Sequence, residues 1–63
     1  MSSLLTYQLR LETEGSVDQR TLEAASNLDA IRAASAVLAM RSQGTIAKLT
    51  APDGLMIWLD VVD

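Results

Sequence analysis

The chain contains no cysteine, no histidine and no phenylalanine. Without cysteine and histidine it lacks the usual zinc sites, thiol nucleophiles, Ser-His-Asp triads and redox pairs. It also lacks any disulfide, so packing alone must hold the fold, which suits a cytoplasmic setting. Positive charge is sparse. Arg10, Arg20, Arg32, Arg41 and Lys48 stand singly against eight acidic residues, for a net charge of −3. Proteins that bind nucleic acid through its phosphates usually carry a basic face, so a nucleic-acid role is not expected. Long apolar runs are missing, so nothing is expected to span a membrane. The start, Met1-Ser2-Ser3-Leu4-Leu5, lacks the charged and apolar regions of a signal peptide. Glycine-rich phosphate loops are missing as well, and the three glycines each suit a turn or a cap.

Only carboxylates remain as catalytic currency. Glu12 and Glu14 flank a turn and read as solvated. Asp53 lies in a Pro-Asp-Gly turn that accounts for it. Asp60 is expected to pair with Lys48 across a hairpin. No constellation points to catalysis, so the reading is no enzyme and no metal or cofactor. Length allows one domain, residues 1–63. For so short a chain, burial and ordering nearly cancel, and small chains resolve this with disulfides, metals, very regular packing or a partner subunit, so the lack of the first two favours a partner.

What is present begins with a clean alternation. Leu5, Tyr7, Leu9 and Leu11 fall on one side of the segment Leu4 to Glu12, and Thr6, Gln8, Arg10 and Glu12 on the other, which predicts a half-buried strand. Thr13-Glu14-Gly15-Ser16 reads as a turn. Residues 26–43 predict a helix, with Ser26 as N-cap, Asp29 in its first turn and Gly44 as terminator, Arg41 facing the negative end of its dipole. Leu28, Ile31, Ala34 and Leu38, with Val37 beside them, form its apolar stripe. Asn27, Arg32, Ala39 and Gln43 lie outside. Residues 17–25 are open between a second strand at Thr21–Ala24 and an early start to the helix. Thr45–Thr50 and Leu55–Val62, around Ala51-Pro52-Asp53-Gly54, read as a hairpin. The expected fold is α+β, a two-layer sandwich of order ββαββ (or βαββ), with a mostly antiparallel sheet and one helix on one face. At least one of the first and last strands is expected to be interior. The expected core is Leu5, Tyr7, Leu9, Leu11, Leu28, Ile31, Ala34, Leu38, Leu49, Leu55, Ile57, Leu59 and Val61.

The run Tyr7-Gln8-Leu9-Arg10-Leu11, then Leu22-Glu23-Ala24-Ala25, Asp29-Ala30 before an alanine-rich helix, and Asp53-Gly54 before Trp58 resembles a family of short, uncharacterised bacterial proteins. These share a hairpin–helix–hairpin arrangement and carry no assigned activity. Over residues 4–40 a weaker similarity, through Thr21-Leu22-Glu23-Ala24-Ala25, is to the partial ribonuclease-H-like domain of Hic-type antitoxins. That likeness implies a regulatory subunit bound to a larger protein.

One helix can cover only one face of such a sheet. In the last strand the face Met56, Trp58, Asp60 and Val62 is only partly polar. Trp58 either covers its own neighbours, packs in the core after a register shift, or anchors an interface. The candidate interface is Met56, Trp58 and Val62 with Ile46 and Leu4, and the expected partner is a second copy. The function expected is a non-enzymatic interaction module, self-associating through an exposed sheet face or an edge strand. The alternative is an antitoxin-like or regulatory subunit.

Overall fold

The alternating first strand is paired residue for residue by the second. In the computed structural model, which describes residues 3–63, β1 (Leu5–Thr13) pairs antiparallel with β2 (Ser16–Ala24) over its full length. Gly15, at φ 81°, supplies the left-handed backbone their two-residue turn needs. The open segment 17–25 is therefore strand as far as Ala24, and the order is ββαββ.

Helix α1 (Asn27–Ala39) follows, then β3 (Ile46–Thr50) and β4 (Met56–Val61). The sheet order is β2-β1-β3-β4, with every neighbouring pair antiparallel. β1 is interior, as expected of at least one of the first and last strands, and β4 is an edge.

The helix starts where its cap chemistry dictates. Ser26 is extended, at φ −155° and ψ 168°, and its Oγ accepts the Asp29 N–H at 3.3 Å. It ends sooner than the expected residue 43. Met40 N–H donates to the Val37 carbonyl at 3.2 Å and Arg41 N–H to that of Leu38 at 2.9 Å. These i to i−3 bonds tighten the last turn and close the helix. Gly44 has a different task. Its N–H donates to the Val62 carbonyl at 2.8 Å, and the Val62 N–H donates to the Thr45 carbonyl at 2.9 Å. Two residues thus face one, a bulge whose first position needs the φ of 86° that Gly44 takes.

The core lies between α1 and the odd-numbered side of β1. Tyr7, Leu9, Leu11, Ala47 and Leu49 are buried beneath Ala30, Ala34 and Leu38, with Leu22, Ile31, Val37, Ile57, Trp58 and Val62 packed around them. The helix meets the sheet through the line 30, 34, 38, which turns its apolar stripe away from Leu28. Two alanines on that line let the backbones approach closely. Tyr7 ties the layers together, its hydroxyl donating to Asn27 Oδ1 at 2.7 Å.

Four more expected core residues are corrected along with Leu28. Leu5, Leu55, Leu59 and Val61 are exposed. Leu5 lies opposite Ala24 at the far end of the hairpin, and Leu55 precedes β4. Leu59 and Val61 are turned outward by an irregularity in the β3–β4 ladder. Leu49 pairs with Trp58 but Thr50 pairs with Met56, so Ile57 is an extra residue. A one-residue slip exchanges the two faces of a strand. It brings Trp58 to the side of Leu49 and the helix, and sends Leu59 and Val61 to the other.

Candidate interaction surface

The helix leaves the even-numbered side of β1 bare. The pairing registers set two rungs of side chains across this open face. One runs Gln19, Arg10, Lys48, Leu59 and the next Val17, Glu12, Ile46, Val61. Thr50 and Met56 continue the β3–β4 half. Val17, Ile46, Met56, Leu59 and Val61 are all exposed large apolar residues. Four of them, Ile46, Met56, Leu59 and Val61, gather on β3 and β4, where a shallow depression of about 410 Å³ is lined by Ile46, Leu59, Asp60 and Val61.

Beside this apolar corner lies an ion cluster. Arg10 and Lys48 are directly opposite one another, an unfavourable pairing of like charges. Glu12 offsets it, with its Oε2 3.0 Å from Lys48 Nζ and 3.4 Å from Arg10 Nε. The hydrogen bond from Lys48 holds the Glu12 carboxyl below its ordinary value. It outweighs partial desolvation and is helped by the charges of Lys48 and Arg10. Lys48 therefore pairs with Glu12 and not, as expected, with Asp60, which lies opposite Ala47 on the other face.

Charge is unevenly shared between this face and the rest. Arg10 and Lys48 balance Glu12 and Glu23, the charged residues of the open face. Of the other three basic and six acidic residues, Asp60 stands at the β4 rim of the depression and the rest lie elsewhere, so most of the excess of −3 sits off this face.

A second ionic group lies on the helix side. Asp18 Oδ2 is 3.1 Å from Arg20 Nη2 and 2.9 Å from Arg41 Nη2. Its carboxyl is held below the ordinary value, chiefly by the Arg20 hydrogen bond, against desolvation and with further help from Arg41. The Arg41 side chain thus reaches β2, and no basic residue stands in the last helical turn. Arg20 and Arg41, with Val37 and Met40, line a depression of about 270 Å³. Both guanidinium groups are already engaged by Asp18.

The sequence-derived interface is divided by the fold. Ile46 and Met56 are exposed on the open face, and Leu4 is exposed just before β1. Trp58 and Val62 are not with them. Both pack against the core on the helix side. Their places on the open face are taken by Leu59 and Val61, which the strand's alternation had assigned to the core. Both sides of β4 are largely apolar, so composition could not reveal which side faced out. The usable signal was in β3, where Lys48 and Thr50 mark the outer side against Ala47 and Leu49.

Among the described residues, no three His, Cys, Asp or Glu side chains are grouped to hold a metal ion, and no helix is long and apolar enough to cross a membrane. No protein-family model, curated protein or solved structure matches the chain.

Proposed function

We propose that this chain is a non-enzymatic interaction module that self-associates by packing the open face of its sheet against that of a second copy. The observation that carries this reading is the exposed group Ile46, Met56, Leu59 and Val61 on the uncovered side of β3 and β4. Apolar patches of this kind mark contact surfaces more often than free ones.

Charge and size favour a second copy as the occupant. The open face is nearly neutral while the remainder carries most of the negative excess, so two copies meet with least repulsion through this face. A stable interface buries about 800 Å² per partner, roughly a fifth of this chain's 4274 Å² of surface. The molecule measures 40 × 19 × 15 Å, so its broadest side projects about 760 Å². The apolar corner alone falls short of a standard interface, and the Arg10–Glu12–Lys48 cluster must join it. A wet, partly polar contact of that kind gives a reversible dimer. The absence of cysteine supports a cytoplasmic setting. The hairpin–helix–hairpin order supports the likeness to short bacterial proteins of that arrangement, which brings no activity with it.

Sedimentation equilibrium over a micromolar concentration series tests the reading. Leu59→Glu places a charge in the middle of the patch and should leave a monomer. Met40→Glu, on the exposed end of the helix, should leave association unchanged. A Leu59→Glu chain that associates as the parent does would remove the open face as the interface.

A further inference from the structure

The free edge of β4 carries a separate device. Val62 directs both backbone groups inward, its N–H to the Thr45 carbonyl and its carbonyl to the Gly44 N–H. Alternate strand residues point their backbone groups to opposite sides, so those of Val61 and Leu59 face outward, away from β3. Such an edge is a template for another strand. Here one of its donors is taken. The Val61 N–H donates to Oδ1 of Asp60, its own neighbour, at 2.8 Å. Asp60 lies on the helix side of the edge strand, opposite buried Ala47, and an inward-pointing charge on an edge strand opposes edge-to-edge pairing.

The other edge also carries charges on its helix side. Arg20 and Asp18 lie on the helix side of β2, opposite Leu9 and Leu11, and Asp18 bridges Arg20 and Arg41. On β4 the closure depends on one residue.

We propose that the β4 edge is a strand-addition site for the β4 of a second copy, and that Asp60 holds it shut by capping the Val61 N–H. The occupant follows from side-chain register. A twofold antiparallel pairing centred on Leu59 sets Leu59 against Leu59 on the open face and Val61 against Ile57 of the mate, so apolar residues meet along the seam. It also sets Asp60 opposite Trp58, so the two Asp60 charges do not oppose one another. Centring on Asp60 would bring those two carboxylates together. The Leu59-centred pairing needs the Val61 N–H as a donor, and it cannot form until Asp60 lets go. This edge is distinct from the open-face contact, and the two are separable by mutation.

Amide hydrogen exchange of the parent chain, followed by NMR and corrected for intrinsic rates, is the first test. The Val61 amide should exchange roughly fivefold to tenfold more slowly than that of Leu59, its uncapped neighbour on the same edge. Equal rates overturn the cap. The second test uses Ile46→Glu, which disables the open face without altering β4 and should be monomeric. Adding Asp60→Ala to it should restore concentration-dependent association, with the Leu59 and Val61 amides becoming protected as concentration rises. A double variant that stays monomeric overturns the strand-addition site, whatever the parent's oligomeric state. Asp60→Asn keeps an acceptor for Val61 and should stay closed. Opening as fully as Asp60→Ala would overturn the hydrogen-bonded cap.

Discussion

Replacing Tyr7 by phenylalanine removes one oxygen from the junction of the two layers and leaves the ring in place. Tyr7 is fully buried, and its hydroxyl makes a 2.7 Å bond to Asn27 Oδ1 in the first turn of α1. A buried acceptor left without a partner costs about 1–3 kcal/mol, whereas the net worth of an ordinary hydrogen bond is about 0.5–1.5 kcal/mol. The second range applies, because Asn27 is exposed and its carbonyl turns to water when the hydroxyl goes. Tyr7→Phe should therefore cost about 1 kcal/mol. For a domain of this size that lowers the melting temperature by about 4–8 °C. The loss is large, since a 63-residue chain has a total stability of about 3–9 kcal/mol. Urea unfolding at one fixed protein concentration is the assay, with an unchanged m-value expected. Asn27→Ala should cost a similar amount, and the double variant little more than either single one, giving a coupling of about 1 kcal/mol. Additive single effects, or a neutral Tyr7→Phe, would refute the claim that this bond joins helix to sheet.

Other sites give sharper directions. Ala34 is fully buried where α1 meets the sheet, so Ala34→Leu should destabilise by about 1–3 kcal/mol through overpacking, read in the same unfolding experiment. Gly44→Ala forces a side chain into φ 86° and should cost about 1–2 kcal/mol, although no atom within 4 Å obstructs the added carbon. Glu12 and Asp18 both have carboxyls held below their ordinary values in the fold. Their contribution is present above the unfolded-state range near about pH 4 and is lost as pH falls through the lower folded values. A Glu12→Gln, Asp18→Asn chain should accordingly show a shallower loss of stability in acid than the parent, and an identical acid slope would contradict these pairings.

The parts of the fold legible in the sequence are those where chemistry differs between the two sides of an element. β1 alternates leucine or tyrosine with threonine, glutamine, arginine and glutamate, and its buried side was plain. Ser26 and Asp29 marked the helix start for the same reason, because few residue types satisfy a helix N-terminus. The helix end was less plain, since Gly44 signals a left-handed backbone without saying whether a cap or a bulge uses it. β2 was half-hidden because only Leu22 and Ala24 of its nine residues reach the core. β4 misled most. It is apolar on both sides, and an extra residue at Ile57 exchanges them, so Trp58 entered the helix side and Leu59 and Val61 left it. The candidate surface was thus foreseeable as a face of the sheet, but its residues depended on a register that local pattern does not encode.

The central claim is that the open face is a contact surface for a second copy. Sedimentation equilibrium of the unaltered chain beside Leu59→Glu addresses it most directly. The account predicts a reversible dimer in the micromolar range for the parent and a folded monomer for the variant. A parent chain that stays monomeric across that range would contradict it.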